Sequence, residues 1–390
     1  MPEPVALTPT VVEWARESAG LSIEQAARRL HVTPHEVARW EADGLLTVRQ
    51  LKDAARVYGR PVAALLLDAQ PPDPPQLFDF RVAWGVPRRS SPEVQAAIRA
   101  TTELQELAAE LIDEMGEFVE LPELPARWWD DVETAARDLR TWLGVAPEDR
   151  RALRDPARAL RAWRTVFESR GIFVTQASMP AAEVRGFSSS VPAPVVTLNR
   201  SDSMAARVYT LFHELVHVLE GTAAICLPQA ALRRDPAAVV GAAEVERRCN
   251  MLAAAILVPD DELAEDLITA DIDFSAPPAD DDLRTLAARF SVSKFVLWYR
   301  LRDLGYVTDE VFHEKWSHWP PVADLRPPPT GGGGETRAET ALRELGPRFV
   351  SLVISARNRD LLSTADALGF LRVHVEDLDE LLHPARALGG

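Results

Sequence analysis

The first seventy residues carry apolar side chains at three- and four-residue spacing, interrupted by short polar breaks. Such spacing predicts amphipathic helices. Ser22, with Gln25 three positions later, forms a capping-box pattern at the start of one helix. Pro34 opens another helix over 34–43, which Gly44 closes. A helix, a short turn and a second helix in so small an all-helical segment predict a helix-turn-helix.

The strongest helical stripe of the chain begins after Ser203, a suitable N-cap, and ends near Gly221. Its apolar face consists of Val208, Leu211, Phe212, Leu215, Val216 and Leu219. Residues 195–198 before it are typical of a short strand, either a sheet edge that pairs with an extended peptide or part of a structural hairpin. After the stripe, a further helix is predicted over 237–258, where a proline ends it.

Helices are also predicted in the last third of the chain. Residues 283–320 have the pattern helix, turn, helix, and we expect this subdomain to pack on the preceding domain rather than to bind nucleic acid. The tail is predicted to be helical at about 341–356, 363–371 and 376–382. A segment of about 50 residues buries little core alone, so we expect it to dock on the rest of the chain or on a partner.

Two proline-rich breaks divide the chain. Residues 71–75 read Pro-Pro-Asp-Pro-Pro, and residues 326–335 combine a run of prolines with a run of glycines. Both compositions are typical of linkers. They predict domains at 1–70, 76–325 and 336–390, and the element patterns within those domains predict an α+β fold that is mostly α.

The net charge and the cysteine count narrow the class of protein. The chain holds 59 acidic and 43 basic side chains, a formal net charge of −16, which argues against coating nucleic acid by charge alone. Most of the excess acidity lies between the two linkers, because both flanking segments are nearly neutral. The sequence shows no apolar run of ~20 residues, no signal-peptide pattern and no disulfide framework. A cytoplasmic protein without membrane contact is therefore predicted.

Residues 213–217 read His-Glu-Leu-Val-His, an H-E-x-x-H motif, and they fall on the strongest helical stripe. Positions i and i+4 of a helix project from one face a turn apart, so His213 and His217 can reach one Zn²⁺. Glu214 lies beside the ion, where it can act as the base toward a water molecule. The motif in a helical context predicts a zinc site, with Mn²⁺ as the alternative metal.

A catalytic zinc takes a third protein ligand, and the helix over 237–258 offers two carboxylates. Glu246 shares a helical stripe with small or apolar residues suited to close packing, whereas Glu244 lies beside two arginines. We therefore predict Glu246 as the third ligand and Glu244 as a surface salt-bridge partner. Asn250, one turn after Glu246, either braces that carboxylate or is ordinary polar packing between helices.

Four segments together resemble the ImmA/IrrE metallopeptidase family, namely 185–188, 194–199, 210–217 and 246–259. The resemblance covers most of residues 10–320. Within it, Cys249 and Leu252 stand where the family usually has Ala and Phe. The resemblance implies a thermolysin-like (gluzincin) domain with a small antiparallel sheet, the zinc ligands and base predicted above, and proteolysis of DNA-bound repressors.

Residues 14–22 and 37–41 resemble the XRE (Cro/C1-type) family of helix-turn-helix domains. This resemblance implies operator binding through residues 22–43, with His35 and Arg39 as candidate DNA contacts. Against it, the second helix of the motif carries one arginine among three carboxylates, whereas recognition helices usually neutralise phosphates. DNA binding and a helix-turn-helix kept for protein contacts both stay open.

Two functions are compatible with these residues. The first is a zinc-dependent endopeptidase that cleaves an XRE-type repressor and so regulates gene expression. The second is a non-catalytic transcriptional regulator or antitoxin, in which the zinc fold is a scaffold and the helix-turn-helix or the C-terminal element binds a toxin or another protein. The complete motif favours the first, because a scaffold has no need of a base at Glu214. Candidates for stabilising the transition state are Tyr209, His313 and His318.

Overall fold

The computed structural model contains two compact units. The first comprises the described residues up to 71 together with 91–102, and the second the described residues from 103 onward. The described residues are 4–71, 91–221, 224–226, 240–270, 272, 274, 276–319 and 334–382, with the backbone alone described at 224–226, 240–243, 270, 379 and 382. The predicted linkers lie largely outside them, and the three domain boundaries stay predictions.

The first unit is helical, as the apolar spacing predicts. Its helices are α1 (Pro9–Ser18), α2 (Ile23–Leu30), α3 (Pro34–Asp43), α4 (Val48–Tyr58) and α5 (Val62–Leu65). Two strands, β1 (Pro4–Ala6) and β2 (Leu45–Thr47), pair antiparallel beside them. Three residues are too few to show the alternation that identifies a strand in sequence, so the helical pattern does not predict this small sheet.

Local hydrogen bonds fix where α2 and α3 begin. The predicted capping box forms at the start of α2, since Ser22 Oγ accepts from the Gln25 N–H and Gln25 Oε1 accepts from the Ser22 N–H. Thr33 and Glu36 make the same reciprocal pair at the start of α3. Each box satisfies helix N–H groups that have no partner within the helix. Two short polar motifs thus encode the starts of both helices.

A buried ion pair joins α1 to α3. Arg16 Nε lies 2.6 Å from Glu41 Oε1, and Arg16 Nη1 donates to the Leu21 carbonyl at 2.7 Å. Arg16 is only 5 % exposed. A buried arginine needs this complete set of acceptors, because an unpaired charge in the interior costs several kcal/mol. The pair therefore fixes α3 on the first helix of the unit.

The second unit is built around a four-stranded sheet with helices on both faces. Its strands are β3 (Phe173–Ala177), β4 (Gly186–Ser189), β5 (Val195–Asn199) and β6 (Ala224–Cys226), in the order β3-β5-β4-β6. The helices before the last strand are α6 (Pro92–Met115, whose first residues belong to the first unit), α7 (Val132–Leu143), α8 (Pro147–Ala152), α9 (Pro156–Ser169) and α10 (Met204–Leu219). Those after it are α11 (Val240–Leu257), α12 (Asp260–Ala270), α13 (Asp280–Arg289), α14 (Lys294–Asp303), α15 (Asp309–His318), α16 (Arg337–Leu345), α17 (Pro347–Asn358), α18 (Thr364–Leu371) and α19 (Leu378–Leu382).

The fold class, α+β and mostly α, is confirmed. The strand pairing of the sheet differs from the prediction in two respects. β3 and β5 run parallel, whereas β4 pairs antiparallel with β5 and with β6. The sheet is therefore mixed rather than wholly antiparallel. β5 lies between β3 and β4, so both of its hydrogen-bonding sides are occupied and the edge-strand alternative for 195–198 is wrong. Strand order depends on pairing between distant segments, which a single stretch of sequence does not encode.

Alternating side chains of the sheet enter two different cores. Val174, Val196 and Leu198 pack with α10, α9 and α11 in the larger core. Phe173 and Val195, one position earlier on the same strands, pack with α6 and the C-terminal helices. The C-terminal element therefore docks on the rest of the chain, one of the two predicted alternatives, and its apolar face covers the back of the sheet.

The helical subdomain over α13–α15 packs in the larger core, as expected. Arg300 of α14 donates to the Val258 carbonyl at 3.0 Å and pairs with Glu133 of α7 at 2.7 Å. This arginine is 3 % exposed, so it serves the interior and offers no contact to nucleic acid. Two of the three lysines of the chain, Lys294 and Lys315, both pair with Asp280.

The helix predicted over 341–356 is two helices, because the chain breaks at Gly346. This glycine has φ +95°, outside the helical region, and the following proline starts α17. Glu168 Oε2 accepts from the Arg348 N–H at the start of α17, at 3.1 Å, while Glu168 Oε1 accepts from Arg164. Arg164 also donates to the Val174 carbonyl at 2.6 Å. This buried network ties the C-terminal helices to α9 and β3.

Replacement of Gly346 by alanine tests that connection. A Cβ there would lie 2.7 Å from Glu168 Oε1 and 2.9 Å from the Val174 carbonyl oxygen, in addition to the unfavourable φ. We expect Gly346→Ala to lower the free energy of unfolding by about 3 kcal/mol or more. Gly305→Ala is the matched control, because Gly305 also has positive φ but open space around it, and should cost about 1–2 kcal/mol. Equal losses in urea unfolding would contradict the close packing at Gly346.

Candidate metal centre

The H-E-x-x-H motif lies on α10, which is buried between the sheet and two helices. Ser203 Oγ caps the helix by accepting from the Ala206 N–H at 3.2 Å, as the sequence predicts. Phe212 on the apolar face makes edge-to-face contacts with Trp163 and Phe167 of α9, at ring centroid distances of 4.9 and 5.3 Å. This packing fixes the rotation of α10 about its axis and turns the motif toward α11 and β4.

Three side chains converge between α10 and α11. His213 Nε2 and His217 Nε2 lie 3.2 Å apart, and each lies 3.2 Å from one carboxylate oxygen of Glu246. Tetrahedral zinc ligands at ~2.0–2.1 Å from the ion are about 3.3–3.4 Å from one another. The three residues are at most 5 % exposed. Their donor set and spacing therefore fit a Zn²⁺ ion, and within the described residues they are the group of three that could hold one.

The two carboxylates of α11 have different environments, as the sequence pattern predicts. The Glu246 side chain is 6 % exposed, whereas the Glu244 side chain is 43 % exposed and pairs with Arg247 at 2.7 Å. Burial alone would raise the pKa of Glu246, but the two histidines beside it hold that pKa well below its usual range. Glu246 is thus kept ionised in the interior, which a metal ligand requires.

Glu214 is fully buried on the turn that carries the two histidines. Ser188 Oγ of β4 donates a hydrogen bond to Glu214 Oε2 at 2.6 Å. Glu214 Oε1 has no hydrogen-bond partner among the described residues. Burial raises the pKa of Glu214, although the nearby histidines and the serine oppose the rise. A carboxylate with a raised pKa beside a metal site is suited to accept and return a proton.

Two contacts around the motif are not evident from the sequence. The first is the contact of Ser188 with Glu214. One residue is on a strand and the other on a helix distant in the chain, so no periodic pattern of the sequence predicts the contact. Cys249 is the second, since its Sγ lies 3.7 Å from His217 Nδ1. The ring nitrogen that does not bind metal usually has such a partner, which fixes the orientation of the imidazole. The thiol therefore contacts the motif at a position where an alanine would offer no polar group.

The remaining site candidates lie in different places. Asn250 Oδ1 accepts a hydrogen bond from Tyr209 Oη at 2.5 Å, which joins Asn250 to α10. Bracing of Glu246 by Asn250 stays a prediction. His313 and His318 are exposed on α15, where the Nδ1 of each lies within hydrogen-bonding distance of a backbone carbonyl of the same helix. Of the three candidates for stabilising the transition state, Tyr209 is the one on the motif helix.

The candidate DNA contacts are exposed on α3, and the carboxylates of this helix have local partners. His35 and Arg39 both face solvent. Glu41 pairs with the buried Arg16, and Glu36 belongs to the capping box at Thr33. Asp43 Oδ1 accepts from the Leu45 N–H at 2.9 Å. The acidic residues that argue against DNA binding in the sequence are thus engaged within the unit.

Two family models match the chain. Residues 167–302 match the peptidase M78 family, described as the IrrE N-terminal-like domain, and residues 12–65 match a helix-turn-helix family. Both matches confirm the resemblance and the order of domains predicted from the sequence, and the first is a metallopeptidase family. Comparisons with curated proteins and with solved structures gave no match. Among the described residues, none of the helices has both the length and the apolar character of a membrane span.

Glutamine substitutions at the two carboxylates of α11 test the metal centre. We expect Glu246→Gln to weaken Zn²⁺ binding by more than about 100-fold, since even outer-shell partners contribute 10–100-fold. Glu244→Gln on the same helix should bind Zn²⁺ as the wild type does, because Glu244 is on the surface. Competition with a fluorescent chelator, on metal-free protein, measures both constants. Similar losses in the two variants, or none in either, would argue against Glu246 as a ligand.

Proposed function

We propose that this protein is a zinc-dependent endopeptidase that cleaves a DNA-binding repressor of the XRE type and so regulates gene expression. The observation that carries the proposal is the buried convergence of His213, His217 and Glu246, with Glu214 buried on the turn that carries the histidines. A scaffold would need neither the three ligands nor a second buried carboxylate beside them, whose desolvation is costly. The match to a metallopeptidase family supports the reaction class.

In the proposed peptide hydrolysis the metal ion and the protein side chains have different roles. Bound Zn²⁺ supplies Lewis acidity toward the scissile carbonyl. His213, His217 and Glu246 hold the ion. Glu214 removes a proton from the attacking water and then returns it to the leaving amine, which makes it base and acid in turn. Burial of the carboxylate keeps bulk water from competing for that proton.

The sheet offers a place for the substrate backbone. β6 is one of the two outer strands of the described sheet, and it pairs with β4 on one side. An extended peptide that adds to the outer side of β6 would be held by main-chain hydrogen bonds, a recurring mode of peptide recognition. The excess acidity of the second unit favours a basic substrate segment, such as one from a DNA-binding repressor.

Cleavage of a repressor encoded beside this gene tests the proposal. Zinc-loaded wild type should cut it into discrete fragments, and Glu214→Gln should lower the rate by at least about 100-fold, because a general base contributes 10²–10⁴. Glu214→Gln should keep one Zn²⁺ per chain, which separates loss of the base from loss of the metal. Equal cleavage by both proteins would contradict the role of Glu214, and no cleavage by zinc-loaded wild type would contradict the protease function.

A second function is favoured by the first unit. The match to a helix-turn-helix family and the internal partners of the α3 carboxylates support operator binding through residues 22–43. In that case the chain regulates transcription directly, and the zinc fold serves as a scaffold. The antitoxin alternative, with a toxin on the C-terminal element, has less support, because the apolar face of that element packs on the sheet.

Alanine substitutions on the surface of the first unit test DNA binding. A duplex enriched by in vitro selection from a random library should bind wild type, and Arg39→Ala should weaken it by about 10-fold or more, since a specific base contact contributes ~1–3 kcal/mol. His35→Ala should weaken it less. Arg56→Ala is the control, because Arg56 is exposed on α4 and pairs with Asp53. Failure to enrich any duplex would contradict operator binding.

A further inference from the structure

Among the described residues, one neutral side chain forms a hydrogen bond with the base of the proposed reaction. Ser188 is fully buried, and its hydroxyl donates to one oxygen of the Glu214 carboxylate at 2.6 Å. We propose that Ser188 is a positioning residue, which fixes Glu214 Oε2 so that Oε1 is the oxygen that exchanges the proton. This inference rests on the proposed function and adds a residue that the H-E-x-x-H motif does not contain.

The backbone of Ser188 is held on both sides. β4 pairs with β5, where Ser188 lies opposite Val196, and with β6, where it lies opposite Ala224. At the turn between β4 and β5, Gln105 of α6 donates to the carbonyls of Ser189 and Ala193. The serine hydroxyl therefore approaches Glu214 from a fixed strand and not from a loop, which is the condition for precise positioning of a reacting group.

Close approach of β4 to α10 depends on a glycine. Side chains at alternate positions of a strand share a face, so Gly186 and Ser188 both face α10. A Cβ on Gly186 would lie 2.6 Å from Thr210 Cγ2 and 3.7 Å from Glu214 Oε1. The absence of a side chain at this position lets the strand come near enough for a short hydroxyl to reach the carboxylate.

A neutral donor suits this task better than a cation. An arginine or lysine at the same place would form a charge-assisted pair with Glu214 and hold it ionised. A serine hydroxyl bonds one oxygen of the buried carboxylate and leaves Oε1 without a donor among the described residues. Ser188 thus orients the carboxylate without occupying both of its oxygens.

A double-mutant cycle on stability tests the pairing without any substrate. In metal-free protein, Ser188→Ala should lower the urea midpoint, because it leaves a buried carboxylate without its donor. In a Glu214→Leu background the same change should leave the midpoint unchanged or raise it, since the hydroxyl then has no acceptor to lose. Ser188→Thr keeps the hydroxyl but adds a methyl group at a fully buried position, so it should recover only part of the loss. Equal shifts in both backgrounds would overturn the proposal.

The Zn²⁺ affinity of the Ser188 variant distinguishes a loss of Glu214 positioning from damage to the metal site. Ser188 contacts none of the three predicted ligands, so Ser188→Ala should bind Zn²⁺ within about 2-fold of wild type, well inside the 10–100-fold loss typical of outer-shell partners. Ser189→Ala is the control, because its hydroxyl donates to the Val191 carbonyl; it should change neither the zinc affinity nor the cycle. A zinc affinity lowered as far as in His217→Ala would overturn the assignment of Ser188 to Glu214.

Activity gives the third readout. On a repressor that wild type cleaves, Ser188→Ala should lower kcat by about 10-fold with KM unchanged, as expected for a displaced catalytic group, and Ser188→Thr should recover most of the loss. An unchanged kcat, or a rise in KM alone, would overturn the positioning role. The stability cycle and the zinc affinity do not depend on cleavage, so failure of the protease function and failure of this inference give different results.

Discussion

Two carboxylates buried within a few ångströms of two histidines are the constraint on which the second unit depends. A carboxylate removed from water needs donors or positive charge around it, and the two groups obtain them differently. Glu246 faces both imidazoles, which lower its pKa, whereas Glu214 has the Ser188 hydroxyl as its hydrogen-bond partner among the described residues, and burial raises its pKa. Environments that separate the pKa values of paired carboxylates also separate their roles. The one that stays ionised is fitted to hold an ion and the other to exchange a proton.

The sequence predicts this centre well where the chemistry is local. The spacing of His213 and His217 and the stripe that favours Glu246 over Glu244 both follow from helical geometry, which repeats every 3.6 residues. The contact between Ser188 and Glu214 does not follow from helical geometry, because strand pairing places Ser188 beside Glu214. For the same reason the sequence does not predict the strand order or the position of β5 inside the sheet, because each depends on which distant segments pair.

The number of charged residues in a segment also predicts poorly which charged groups have partners within the fold. The second helix of the helix-turn-helix is acidic in sequence, yet its three carboxylates bind an arginine of α1, a helix N-terminus and a turn N–H. His35 and Arg39 are exposed, and Arg39 lies 4.0 Å from Asp43, which is exposed as well. The sequence contains these partners, but only the fold shows which charges are used internally. The prediction of helix boundaries succeeds here because capping boxes are local signals.

The sheet buries one face under α10 and the other under α6 and the C-terminal helices. The segment that matches the peptidase family, 167–302, contains the sheet and α10 but neither α6 nor the C-terminal helices. The piece of chain that can exclude water from both faces extends from α6 to α19. Residues outside the family segment therefore complete the burial of the sheet whose strand β4 holds Ser188 beside Glu214.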